Sequence, residues 1–179
     1  MARRILLLTA AILAGLSMSS PARAADIYVH AAADSAGPLR IQRAKGKPLV
    51  VAMDLEQVGF DRIAVSGDGR SVGWLALYPN CCTSYPIPLK LVIYTQGHRR
   101  TFEGNGLPIW RWRFTANGTR VSFEQEPVHG GVGVHYELRE IASGRRIEAY
   151  DPPGRDAPDS LPPAGGVPAW VAELDAEKE

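Results

Sequence analysis

The sequence predicts an all-β protein. It reads as two four-stranded antiparallel, blade-like meanders, with N-terminal strands packed against them as a sandwich or partial propeller and a short C-terminal helix. Three observations carry this. Apolar and polar residues alternate with a period of two through most of Phe60 to Tyr150, the signature of half-buried strands. Asp68-Gly69 and Asn117-Gly118 punctuate that stretch and are strong hairpin signals, because such turns need φ > 0. The chain also superposes on itself: FDRIAVSGDGRSVGW aligns with IWRWRFTANGTRVSF at an offset of 49 residues, without a gap.

The alternation is cleanest in IWRWRF, where Trp110, Trp112 and Phe114 share one face and Arg111 and Arg113 the other. In RVSFEQE, Val121 and Phe123 are expected to point inward and Ser122 and Glu124 outward, and Glu124 and Glu126 share one face as solvated carboxylates. In VHYELRE the inward set is Val134, Tyr136 and Leu138, and the outward set His135, Glu137 and Arg139. Leu89, Leu91 and Ile93 of LKLVIYT are expected on one face. The offset pairs Ile63 with Trp112, Gly69 with Gly118, Val72 with Val121 and Trp74 with Phe123; further on, TQGHRR matches IASGRR. A period in this range signals propeller blades or another repeat array. The β domain is placed at 25–150, with its two units at 59–106 and 107–150.

VSGDGRSVGW and FTANGTRVSF resemble the strand-turn-strand signature of TolB-type, WD-like β-propeller blades, and ELREIASGRR resembles the closing strand pair of such a blade. The resemblance covers about half the chain and implies a blade fold; it implies no function, since propellers host many. The longer string from VGWLALYPNCCTSYPIPL to HYELREIASGRR also resembles a group of small exported bacterial proteins. Propellers typically close with 4–8 blades, and two are legible here. IYVH, LRIQR and PLVVAM, between Asp26 and Met53, add about three strands without the blade signature. They are apolar enough to finish a core or cover a sheet edge. The competing expectation is an open two-blade fragment closed by dimerisation.

Both ends differ from the middle. Arg3-Arg4, the apolar run Ile5 to Leu16 and Ala22-Arg23-Ala24 form the three regions of a cleavable signal peptide. This predicts residues 1–24 as a leader, cleavage before Ala25, and a periplasmic or secreted protein. No later segment is apolar enough to span a bilayer. The tail, 151–179, starts as the Pro/Gly-rich DPPGRDAPDSLPPAGGVP and ends in PAWVAELDAEK. There Trp170, Val171 and Leu174 recur at helical spacing, and Pro168 suits a first turn. A short helix docking on the domain is expected, in competition with a partner-binding tail.

Charge excludes one class of partner. The chain carries 20 Lys and Arg against 19 Asp and Glu. Removing Arg3, Arg4 and Arg23 leaves 17 against 19, a slight acidic excess where phosphate binding needs a basic one. Nucleic acid is therefore not an expected partner. Enzyme motifs are missing as well. HGG at His129 has no G-x-S-x-G elbow to accompany it. Gly130-Gly131-Val132-Gly133 lies between strands and does not open a helix, and neither a Walker loop nor H-E-x-x-H occurs. No cofactor is expected.

Cys81 and Cys82 are the chain's two cysteines and are adjacent. In an exported protein two cysteines usually pair. Neighbouring Cα atoms lie ~3.8 Å apart, below the usual ~4.4–6.8 Å for a disulfide. Four states are open: a strained vicinal disulfide, a redox-labile pair, bonds to another chain, and a soft-metal dithiol. The repeat places Pro79 to Pro88 and PVHGGVG (Pro127 to Gly133) as equivalent loops at one end of the two meanders, with EGNGLP (Glu103 to Pro108) between them. Cys81, Cys82, Tyr85, Glu103 and His129 are thus candidate binding residues at that end, and His135 is a weaker one. The leading expectation is a non-catalytic interaction or ligand-binding module with a protein partner in the periplasm. The alternative is a redox- or soft-metal-responsive protein using the cysteine pair.

Overall fold

Three antiparallel sheets stack face to face in chain order, and a helix closes the far side of the last. The computed structural model describes residues 25–34, 37–129, 133–153 and 166–176. The expected leader, 1–24, lies outside them, as do 130–132 of the His129 loop and 154–165 of the tail. The first sheet holds β1 (Tyr28–Ala33), β2 (Leu39–Arg43) and β3 (Leu49–Val51). The second is a four-strand meander of β4 (Gly59–Val65), β5 (Ser71–Tyr78), β6 (Ile87–Thr95) and β7 (His98–Glu103). The third repeats that order with β8 (Ile109–Thr115), β9 (Arg120–Gln125), β10 (His135–Glu140) and β11 (Arg146–Tyr150). Helix α1 spans Ala169–Asp175.

Two apolar layers hold the stack. Tyr28, Leu39 and Ile41 of the first sheet meet Val72, Trp74, Ala76, Tyr78 and Val92 of the second. The other face of the second sheet, with Leu75, Leu91, Ile93 and Phe102, meets Ile109, Trp112, Val121 and Phe123 of the third. The 49-residue repeat is therefore a stacking rule: Val72 and Trp74 face the preceding sheet, and so do Val121 and Phe123. The turns follow it. Gly69 (φ +68°) sits so close to the backbone of Tyr28 that its carbonyl accepts the Tyr28 N–H at 2.7 Å. Gly118 (φ +81°) nests against Ser66 and Asp68 of the previous turn.

The N-terminal strands differ from the edge-covering role allowed for them. They form a sheet of their own, packed face-on, and its outer side is polar, with His30, Arg40 and Gln42 exposed beside Val50. A polar outer face is what a terminal unit of a stacked array needs. The other end is finished differently. At the repeat offset, Leu75 of the second sheet corresponds to Glu124 of the third, and Gly73 to Ser122. A fully apolar fourth partner is thereby refused, and α1 covers this face through Val171 and Leu174 on Tyr136, with Val134, Tyr150 and Trp170 around them. The docking expectation for the tail holds.

Register corrects the inward set of β10. Glu137 stands opposite Phe123, and Tyr136 opposite Glu124. Tyr136 and Leu138 therefore lie on the helix-covered side, and Glu137 on the side of the second sheet. Far from being solvated, Glu137 is 1 % exposed and accepts from Arg139 Nε at 2.7 Å, with Arg146 Nη1 at 3.3 Å. Leu89 is likewise displaced: an irregularity between Ala76 and Leu77 turns it to the first-sheet layer, away from Leu91 and Ile93.

Burial among these layers also predicts an alkaline limit. Burial, then the charges of Tyr94 and Asp26, push the Tyr28 phenol up to about 12. Burial and then Asp175 raise Tyr136 as well. The fold holds the neutral phenols, so their stabilisation is complete below the unfolded-state value of about 10 and is lost as pH rises from there through the folded-state values. Thermal midpoints should fall across pH 10 to 12, and Tyr28→Phe should flatten that fall; an unchanged pH profile in the variant would remove Tyr28 from the account.

Candidate functional site

β4 and β8 are edge strands of neighbouring sheets, and each is interrupted near the same position of the repeat. In β4 the register slips between Asp61 and Ala64. In β8 it slips between Ile109 and Arg111, so that Trp110 is the extra residue. Bulges of this kind re-aim side chains. Here both aim at one cavity of about 350 Å³ between the two edges, lined by Asp61, Arg62, Trp110, Arg111, Glu124 and Glu126 and bounded by Pro127 and Val128. Trp110 is accordingly not on the Trp112–Phe114 face as alternation alone suggests. Ile109 fills the core position, and the Trp110 indole turns aside to donate to the Glu126 carbonyl at 2.8 Å.

The backbone of Arg62 is held in the left-handed region at φ +46°, uncommon for a residue with a side chain and found preferentially where function requires it. Its N–H donates to the Asp61 carboxylate at 2.8 Å, and its carbonyl accepts the Trp112 indole N–H at 3.0 Å. The floor of the cavity is a buried ion pair. Arg111 and Glu124 are each more than nine-tenths buried and in direct contact, which corrects the expectation of a solvated Glu124. Arg111 continues outward to Asp175 at 2.7 Å and to the Leu174 carbonyl at 3.1 Å, while Arg113 donates to the Glu173 carbonyl at 2.7 Å. The two arginines thus satisfy carbonyls at the C-terminal end of α1, where a helix leaves acceptors open and favours cations.

The loop residues singled out from sequence share an end of the stack without forming one cluster. β5 ends and β6 begins at that end, as do the connections from β7 to β8 and from β9 to β10. The Glu126 N–H donates to the Pro108 carbonyl there at 3.3 Å, and Asn105 N–H to Gln125 Oε1 at 2.9 Å. Glu103, however, is paired across the strands with Lys90 at 3.5 Å. His129 is exposed and follows directly on Val128 at the cavity rim. His135 lies between Asp151 at 2.6 Å and Glu137 at 3.3 Å. Tyr85 is half exposed on the β5–β6 loop. Among the described residues no group of three or more His, Cys, Asp or Glu side chains gathers to hold a metal ion.

Cys81 and Cys82 are free, exposed thiols with their sulfurs 2.8 Å apart, and no described peptide bond is cis. Asn80 shapes the turn beneath them: its Oδ1 accepts the Cys82 N–H at 3.3 Å, and its Nδ2 donates to Thr83 Oγ1 at 3.2 Å. Thr83 Oγ1 in turn donates to the Tyr85 carbonyl at 2.5 Å. The hydrogen bond with Cys81, then its charge, push the Cys82 thiol up. The cavity residues Asp61, Arg62, Trp110 and Glu126 were not legible as a site. Their one sequence trace is the position that Asp61 and Trp110 share in the repeat. No protein-family model matches the chain, and no curated protein matches it.

Proposed function

We propose that the protein is an exported, non-catalytic binding module whose ligand site is the cleft between β4 and β8. The carrying observation is the convergence of two β-bulges on one polar cavity, since one bulge is a local irregularity and two aimed together build a receptor. Asp61, Glu124 and Glu126 outnumber Arg62 and Arg111 by one, and Trp110 lines the cavity beside them. That combination favours a cationic group, held by carboxylate and aromatic ring together. A basic side chain of a protein partner is the simplest ligand of this kind. Export is supported by the leader pattern of Arg3-Arg4, Ile5 to Leu16 and Ala22-Arg23-Ala24.

The test is an NMR titration of protein recovered from periplasmic extract, which should begin at Ala25. Short lysine-, arginine-, glutamate- and alanine-rich peptides are the probes. The basic peptides should shift the Trp110 indole and the amides of Arg62 and Val128. Asp61→Asn and Glu126→Gln should each weaken binding roughly tenfold, the loss of one charge-assisted hydrogen bond. Shifts confined to other surfaces, or equal response to acidic and basic peptides, would overturn the assignment.

A further inference from the structure

We infer that Cys81 and Cys82 form a two-thiol chelate for a trivalent arsenic centre, a site separate from the cleft. Four observations converge. The side chains sit on adjacent residues, yet both sulfurs turn to the same side, 2.8 Å apart. Both are exposed, so a reagent reaches them without opening the fold. The turn is pinned by Asn80 and Thr83, so the convergence is largely pre-organised. Finally, the pair stands without further ligating side chains around it, since no group of three or more His, Cys, Asp or Glu gathers among the described residues.

Those facts discriminate between thiophilic centres by bite. With a metal–sulfur bond of ~2.3 Å, a linear two-coordinate ion needs its sulfurs about 4.6 Å apart, well beyond the observed 2.8 Å. A tetrahedral ion needs them about 3.8 Å apart and requires two more ligands. A trivalent arsenic centre is pyramidal, with bond angles near a right angle, so its two sulfurs stand ~3.3 Å apart on a bond of similar length. It brings its third substituent with it. A small rotation about the cysteine side chains opens the observed 2.8 Å to that bite.

The condensation balances without any oxidant. With phenylarsine oxide, two arsenic–sulfur bonds form and the arsenic–oxygen double bond breaks. Both thiol protons leave with that oxygen as one water, and arsenic stays trivalent.

The full chain, reduced with dithiothreitol and desalted, is mixed with phenylarsine oxide and analysed by native mass spectrometry and thiol titration. One phenylarsenic group per chain should bind, with loss of both titratable thiols. The adduct should survive excess 2-mercaptoethanol and be released by 2,3-dimercaptopropanol. Cys81→Ser and Cys82→Ser should each weaken binding by about 100-fold or more, because the second bond is intramolecular. Both substitutions are at exposed positions, and the thermal midpoint checks that the variants are folded. Equal affinity in either single variant and the wild type would overturn the chelate. So would an adduct stripped by the monothiol, or a pair that stays oxidised in excess dithiothreitol.

Discussion

Gly73→Ala should destabilise the fold by about 3 kcal/mol or more, the upper range for overpacking a close-fitted core. Gly73 lies mid-strand in β5, opposite Ala64 and Ile93, where glycine ordinarily costs about 0.5–1 kcal/mol relative to alanine. The packing reverses that preference. A methyl group there would stand 2.2 Å from Trp112 Cη2 and 2.7 Å from Ile93 Cδ1. Trp112 cannot retreat. It is 4 % exposed, donates to the Arg62 carbonyl and meets Phe114 edge-on at 5.0 Å between ring centroids. The indole of the third sheet therefore lies over the bare backbone of the second, and that is how the two sheets approach. Urea denaturation would measure the loss as a lower midpoint. Trp112→Phe in the Gly73→Ala background should restore part of it, although Trp112→Phe alone is destabilising. A cycle in which the two losses simply add would mean that the methyl and the indole do not collide.

The same contact shows what sequence could and could not convey. Alternation identified Trp112, Val121 and Phe123 as inward residues, because a strand period survives in any one-dimensional reading. It could not identify Trp110 as outward: a bulge adds one residue to one strand and shifts every later side chain, leaving composition and spacing unchanged. Leu89 was misplaced for the same reason. Glu124 and Glu137 were assigned to solvent because lone carboxylates almost never lie buried. Their partners are Arg111 and Arg146 on neighbouring strands and Arg139 two residues along the same strand, and it is the register between strands that brings Arg111 and Arg146 to these carboxylates. The three N-terminal strands and their packing on the meanders were legible; that they make a sheet of their own was not, since the third has three residues, too few to display a period. The end shared by the Cys81 and His129 loops was legible, since strand direction in a meander follows from strand count. The cleft was not, since it depends on two bulges in the edge strands of neighbouring sheets.

Arg111→Met should cost about 3–5 kcal/mol, the typical effect of removing one partner from a buried ion pair. Methionine keeps most of the volume, so the loss is electrostatic more than steric. Glu124, with its side chain 8 % exposed, would be left as a buried carboxylate without its cation. Such a group is relieved by taking up a proton, so the deficit of the variant should shrink as pH is lowered and grow as it is raised. Arg111→Met with Glu124→Leu should recover most of the global stability, because a buried pair exchanged for apolar groups of similar size is often neutral. Helix α1 separates the two roles of the arginine. The double variant still lacks the donors to the Leu174 carbonyl and to Asp175. Hydrogen exchange at the amides of Val171 to Leu174 should therefore quicken in both the single and the double variant, while the urea midpoint returns only in the double. If helix protection recovered together with the midpoint, α1 would be held by its apolar contacts with Tyr136 and by Arg113 at the Glu173 carbonyl, and Arg111 would serve only to neutralise the carboxylate beneath the cleft.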